Sequence, residues 1–566
     1  MALLSVSALL ALQLIPVLAV NPTVALGYST YEGTPYANGI TEWLGLRYAA
    51  PPTGALRFAA PQDPYTVDGV TVANQPAHRP PARETNAACD YQHGPLCIAT
   101  GASPSLTTTS EDCLFLDVYA PTNASQLSKL PVYFYIQGGG FNGNTNPNYN
   151  GKGLILASGM NIVVVNFNYR VGPYGFLAGR EVAQGASLNN GLKDIIKALE
   201  WVQKYVSQFG GDPDHVVVGG SSAGAAAITL LLTAYGGRDD GLFHATAAES
   251  QSFGNIYTFS EGQFMYDNLV IRTGCAGASD TLACLRSLPV QDLQAENFNT
   301  ALPGAQNPPL YMYSTTIDYD LVPDYTYKLF AEGKFIDIPT IFGDDTNGGT
   351  VFAPKKPDTH RSPARNTNTI GESDTFLKDQ FPALTLEQLG RINALYPVEG
   401  TPSFPGAGRY WRQVSNAYGD MRYLCPGLYL SSKYAQRGQP SWNYLWNVQD
   451  PEQVAQGLGV PHTIETNAIW GPENANGQAP RSYYPGGINS GIIPVVQAYW
   501  TSFIRALDPN VYRLPGTPRW EEWDWSWESG FNWLVYETNS TRMKNVDPAT
   551  KERCRYLTSI GVAIKQ

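Results

Sequence analysis

The sequence predicts an α/β fold whose strands lie in a sheet covered on both faces. Three stretches between about residues 130 and 250 carry that reading. Ile162 to Val165 is a short, continuous, β-branched apolar run, the pattern of a strand buried on both sides. Leu192, Ile195, Ile196, Leu199, Val202 and Val206 recur at helical spacing, so 190–207 is an amphipathic helix. Val216 to Val218 runs through Gly219-Gly220-Ser221-Ser222-Ala223-Gly224 into a helix-forming stretch, Ala225 to Thr233. That is a strand, a sharp turn and a helix. Upstream, Val132 to Ile136 is a further strand candidate followed by a glycine-rich turn. Beyond residue 300 aromatics and prolines are interspersed, and no pattern there assigns an element. No internal repeat, low-complexity segment or linker-like shift in composition is present.

With 566 residues the chain is long enough for a large core. Charged residues make up 15%, against about 25% in an average globular protein, which argues against long disordered tails. Glycine (55) and proline (42) are abundant and indicate much ordered loop. A net charge of −11 without any Lys/Arg cluster argues against nucleic acid and anionic membranes as partners.

Residues 1–19 are apolar apart from Ser5, Ser7 and Gln13. Val17 and Ala19 form a small-residue pair that places signal cleavage after Ala19, so the expected destination is outside the cell. As a membrane anchor the run is short, carries polar residues and has no basic stop-transfer flank. No other run approaches about 18 apolar residues, and no membrane span is expected after signal removal. Seven cysteines suit a secreted enzyme with some disulfides. Cys275 and Cys284 close a short loop. Cys113 is expected to pair with Cys97 or Cys89, and the odd count leaves at least one thiol over. None lies in a CxxC pair or beside clustered histidines, so no metal is expected. The sequons at Asn123 and Asn539 fit a glycoprotein.

Gly220-Ser221-Ser222-Ala223-Gly224 fits G-x-S-x-G with Ser222 at the apex. The flanking glycines let the backbones close up, and the turn lifts the hydroxyl clear of the sheet edge. It also sets the Ala223 N–H at a helix start, where developing negative charge is stabilised. Gln137-Gly138-Gly139-Gly140-Phe141 follows the Val132–Ile136 strand and exposes further N–H groups of the kind an oxyanion hole needs. As a phosphate cradle it lacks both a following Lys-Ser/Thr and a GxGxxG pattern.

Together these residues resemble the type-B carboxylesterase/lipase family, which includes cholinesterases and secreted fungal lipases. The matching segments are Phe209-Gly210-Gly211 with Val216, Val218, Gly220, Ser222, Ala223 and Gly224, then Glu111-Asp112-Cys113-Leu114-Phe115-Leu116. Gly45-Leu46-Arg47-Tyr48-Ala49 with Pro51-Pro52, Asn168-Tyr169-Arg170 and the Gly-Gly-Gly-Phe turn match as well. The likeness spans nearly the whole mature chain. It implies an α/β-hydrolase fold, a large and mostly parallel central sheet with helices on both faces, forming one domain over 20–566. It also implies action on carboxylic esters without a cofactor. Residue by residue, Ser222 becomes the nucleophile and Gly139, Gly140 and Ala223 the oxyanion donors. The family histidine falls at His462, in Gly459-Val460-Pro461-His462-Thr463-Ile464-Glu465. Chain order agrees, because in this fold the base follows the nucleophile, and His360 sits in a polar, proline-flanked loop. His78, His93, His215 and His244 need no more than surface or core roles.

The resemblance breaks at the triad acid. The family places a Glu in a stretch like N-x-D-E-G-T, whereas this chain reads Gly343-Asp344-Asp345-Thr346-Asn347-Gly348-Gly349-Thr350, with Gly348 at the carboxylate position. Ser221 likewise replaces a Glu often found before the nucleophile, which disfavours choline esters. Three arrangements follow. Asp345, Asp344 or Glu465 orients His462; Ser222 and His462 act as a dyad; or the protein is a silenced hydrolase-fold binding protein. In subtilisin, losing the acid alone costs about 3 × 10⁴ in kcat, roughly 6 kcal/mol, and measurable catalysis survives. Retention of Ser222, His462 and the oxyanion glycines favours an enzyme.

The expected reaction is hydrolysis of a small-molecule ester through an acyl-enzyme. An acyltransferase or lactonising esterase would use the same site with a bound hydroxyl in place of water. A Cys97–Cys113 loop of 15 residues would be short for a lipase lid and favours soluble esters. Trp520, Trp523, Trp525, Trp527 and Trp533 alternate with polar residues, which marks a packed surface meander rather than a stacking site.

Overall fold

The computed structural model describes residues 22–73, 93–144, 149–355, 366–399, 404, 406–526 and 530–566. The expected signal segment, Cys89, His78, His360 and Trp527 lie outside them. Eleven strands form the main sheet. In chain order they are β1 (Thr34–Pro35), β2 (Ile40–Arg47), β3 (Phe115–Pro121), β4 (Leu130–Ile136), β5 (Val163–Phe167) and β6 (Gly211–Ser221). They continue with β7 (Ala245–Glu249), β8 (Thr340–Asp345), β9 (Ser441–Asn447), β10 (Asn532–Glu537) and β11 (Ser540–Asn545). Their spatial order is β11-β10-β9-β8-β7-β6-β4-β5-β3-β2-β1. All pairings from β5 through β4 and β6 to β10 are parallel, and antiparallel pairs close both edges.

Both faces are apolar because successive side chains on a strand point to opposite sides. On β4, Val132, Phe134 and Ile136 enter one core while Tyr133 and Tyr135 enter another. Val216 and Val218 of β6 join the first core and Val217 the second. The first core is closed by α1 (Asn190–Tyr205), which contributes the expected Leu192, Ile195, Leu199 and Val202, and by α2 (Ala223–Thr233). Three more helices, α3 (Trp411–Gly419), α4 (Cys425–Gln436) and α5 (Ile464–Trp470), follow, then α6 (Ile492–Ala506) and α7 (Pro548–Ile560). The second core is closed by α5 and α6, including Ile469, Trp470, Val496 and Trp500. A third core gathers α3, α4 and α7 around Trp411, Tyr418 and Tyr423.

Three disulfides are present. Cys275–Cys284 matches expectation, Cys97 is the partner of Cys113, and Cys425–Cys554 ties α4 to α7 across 129 residues. Of the tryptophan cluster, Trp520, Trp523 and Trp533 are buried and Trp525 is exposed. The Trp520 indole N–H donates to the Asn443 carbonyl at 3.0 Å, a packing role.

Candidate active site

The register of the central strands brings three segments to one point. Gly220 pairs with Ile136 and Ser221 with Glu249, so the turns after β4, β6 and β7 emerge side by side at the strands' carboxyl ends. Such ends are where open α/β sheets place their ligands. Ser222 stands between β6 and α2 with φ 56° and ψ −118°, a conformation that non-glycine residues adopt only when surrounding structure imposes it. Here the Ser222 N–H donates to the Glu249 carbonyl (3.1 Å) and its own carbonyl accepts from Ala226 (2.9 Å). Gly224 is obligatory, because a Cβ there would overlap the Ile136 carbonyl. Ser222 is half-buried, and Ser221 is fully buried with its hydroxyl 2.9 Å from that of Tyr135.

Gly139 and Gly140 follow β4 with φ of 127° and 62°. Among the described residues neither N–H meets an acceptor. Asn142 fastens the turn, its amide donating to the carbonyls of Gly140 and Tyr313 (2.7 Å each) and accepting from the Tyr313 N–H (3.1 Å). Tyr311 lies directly over Gly140, where any side chain would strike its ring.

His462 arrives on the loop between β9 and α5. That loop is zipped to the one following β8: Asn347 N–H to the Val460 carbonyl (2.9 Å), Val460 N–H to Asn347 Oδ1 (3.0 Å), and Thr350 hydroxyl to the Leu458 carbonyl (2.9 Å). Thr463, at φ 66°, donates its N–H to Ser250 Oγ (3.0 Å) and Asp345 Oδ2 (2.8 Å). Ser250 neighbours Glu249, which holds Ser222, so serine and imidazole are referred to one anchor. The ring of His462 stacks on Tyr423 (centroids 4.1 Å apart) and meets Phe352 edge-on at 5.3 Å. Both ring nitrogens are shut from solvent and have no partner among the described residues, so the Ser222–His462 hydrogen bond is not made in this state. Burial first, and then the Arg422 charge, push the imidazole down to about 3 from its usual 6.5.

No candidate carboxylate meets that ring. Asp345 Oδ2 and Glu465 Oε1 both face the Ser250 hydroxyl (2.7 and 2.6 Å), and Glu465 also accepts from Tyr444 (3.0 Å). Burial, with the Glu465 charge, holds Asp345 well above the usual carboxylate range; burial raises Glu465 as well. Asp345, directly, and Glu465, through the Ser250 hydroxyl, hold the backbone beside His462 rather than its ring. Asp344 is buried and likewise raised. At Gly348, an added Cβ would lie 3.4 Å from Tyr423 Cδ2. A side chain at 348 would thus start in ordinary contact with the ring that stacks on His462. Sequence reasoning missed Tyr423, Arg422 and Tyr311. Their one signal was the arginine set in the otherwise apolar run Met421-Arg422-Tyr423-Leu424.

The remaining described histidines are structural. His93 Nδ1 sits 2.7 Å from Asp117, His215 Nε2 is 2.9 Å from the Ile504 carbonyl, and His244 Nδ1 accepts from Val216 N–H at 3.1 Å.

Known sequences and structures resemble this chain over most of its length. The sequence model described as the carboxylesterase family matches residues 21–556. The chain is similar to secreted lipase 4 of Gibberella zeae, 28% identical over 93% of this chain and 91% of that one. Secreted lipase 1 of Botryotinia fuckeliana is 30% identical, covering 83% and 82% respectively. Among solved structures, Aspergillus niger EstA superposes with a TM-score of 0.88 at 39% identity, covering 97% and 99%.

Proposed function

Because this chain belongs to the carboxylesterase family, and so is a carboxylic ester hydrolase, we propose that it is secreted and works through Ser222 and an acyl-enzyme. The observation that carries this reading is the strained turn at Ser222, held beside the Gly139–Gly140 turn and the His462 loop. Strain at one serine, imposed by backbone hydrogen bonds, is the signature of an element kept for its hydroxyl.

In this reading His462 takes the Ser222 proton as the oxygen attacks the ester carbonyl. The N–H groups of Gly139, Gly140 and Ala223 receive the oxyanion. His462 then protonates the leaving alcohol, and water repeats the sequence on the acyl-enzyme. The site forms a dyad, with Tyr423 and Phe352 bracing the imidazole where relatives use a carboxylate. The domain is residues 20–566 after loss of 1–19. The exposed Asn123 and Asn539 support N-glycosylation. Among the described residues no helix is long and apolar enough to cross a membrane.

One observation favours a second reading, a silenced hydrolase-fold binding protein: both nitrogens of His462 lack partners among the described residues. Treatment with a fluorophosphonate ester, followed by intact mass and peptide mapping, separates the two. A single adduct on Ser222, absent in Ser222→Ala, is the expected result. No adduct under conditions that fully label an ordinary esterase would abandon the enzyme reading.

A further inference from the structure

Among the described residues Arg422 is a half-buried cation without an anion. It lies in the π-helical turn Asp420–Leu424 that joins α3 to α4, an irregularity often found at functional sites. A shielded guanidinium is ordinarily paired with a carboxylate. Among the described residues Arg422 makes no ion pair and no side-chain hydrogen bond, and its buried Nε has no acceptor. The acid two positions earlier, Asp420, is committed to Arg553 (2.9 Å) and the Tyr396 hydroxyl (2.6 Å). Instead the guanidinium is ringed by tyrosines, its Cζ 5.4 Å from the centroid of Tyr311 and 6.0 Å from that of Tyr423.

Those two rings also border the reacting centre. Tyr311 covers Gly140 of the oxyanion turn and Tyr423 stacks on His462. The unpaired charge therefore stands one ring away from both ends of the chemistry. We propose that Arg422 is the recognition group for a negatively charged ester, one carrying a free carboxylate a few carbons from the scissile carbonyl. A planar guanidinium fits a carboxylate through paired, charge-assisted hydrogen bonds, and the orphaned Nε is one donor of that fork.

Such a substrate would also correct an electrostatic oddity of the site. Where a triad carboxylate would stabilise the imidazolium, this site has a guanidinium that opposes it. A general base works best with a pKa near the working pH. The carboxylate of the substrate, seated on Arg422, cancels the opposing charge and so removes the second of the two causes, after burial, that lower the His462 pKa. The inference rests on the esterase reading and adds the substrate class.

The test compares the mono-p-nitrophenyl ester of glutaric acid with neutral p-nitrophenyl valerate, which has the same chain length. It uses the full mature protein, Arg422→Gln and Arg422→Lys. The wild-type kcat/KM is expected to favour the anionic ester by about ten- to hundredfold, the range of one charge-assisted hydrogen-bonded pair. The ratio should collapse to about one in Arg422→Gln and be partly kept in Arg422→Lys. Calorimetry with glutarate should show binding to the wild type that is lost in Arg422→Gln. A wild-type ratio of one or less, with glutarate not bound, overturns the inference while leaving ester hydrolysis intact. Glutarate bound through Arg422 with neither ester turned over upholds the anion site and refutes the hydrolase. Should Arg422→Gln not fold, the wild-type ratio and Arg422→Lys still decide.

Discussion

At the scale of the residue, the imidazole of His462 differs from an ordinary catalytic histidine in what faces it. Tyr423 and Phe352 cover the ring, Arg422 supplies a positive field, and no described carboxylate reaches it. Both burial and the like charge disfavour the protonated form, so the group stays neutral down to about pH 3. A base is active when deprotonated. Lowering its pKa therefore extends activity toward acid, whereas a histidine near 6.5 would lose activity as pH falls through that value. For p-nitrophenyl valerate, kcat/KM is expected to stay level from pH 7 to pH 5. An acidic limb centred near 6.5 would show that the ring is solvated and the enclosure described here is wrong. With an anionic ester the kcat limb should lie at higher pH than the kcat/KM limb, because neutralising Arg422 raises His462 only in the complex.

At the scale of the element, the loop after β8 and the π-helical turn compete for the imidazole of His462. Gly348 brings no side chain to it, and Tyr423 stacks on it. Restoring the acid by Gly348→Glu alone leaves Tyr423 stacked on the imidazole, and no gain in kcat is expected. Gly348→Glu with Tyr423→Val clears the path, and kcat for a neutral ester should rise by about a hundredfold or more, a fraction of what a triad acid contributes in subtilisin. Equal rates for the single and double variants would mean that the ring is not what excludes the carboxylate. This competition also marks the limit of what the sequence reveals. The β6–α2 elbow, β4 with its glycine turn, and α1 were legible because periodicities of 2 and 3.6 are local signals. Ser222, Gly139, Gly140 and His462 were legible as motif positions, and Gly348 as their break. Tyr423 and Arg422 sit 201 and 200 positions from Ser222 in the chain and reach the site only through the packing of α3 and α4. No short-range pattern encodes that. For the same reason the short Cys275–Cys284 loop was foreseeable and Cys425–Cys554, spanning 129 residues, was not.

At the scale of the whole molecule, the hydrogen bonds that hold the site come at a cost in pH tolerance. Glu249 ends β7, is fully buried, and anchors Ser222 through its backbone. Its side chain accepts from the Tyr133 hydroxyl at 2.9 Å and has no cation beside it. Burial, reinforced by the Glu465 charge, pushes it up to about 8 from 4.5. The folded protein thus keeps a proton that the unfolded chain has already released. Between about pH 4.5 and 8 this one group makes stability fall as pH rises, by about 1.4 kcal/mol per unit, and the loss is complete above 8. Asp345 and Glu465 act in the same direction, since burial raises both. His462 acts oppositely, because from about pH 3 to 6.5 the unfolded chain binds the proton and stability rises with pH. These opposed slopes place the stability maximum on the acid side of neutrality. Glu249→Gln keeps the shape of the side chain but removes its titration. Its melting midpoint should therefore fall less steeply than that of the wild type between pH 5 and 8, with the advantage widening as pH rises. Parallel melting curves across that range would show that Glu249 is already ionised in the folded protein.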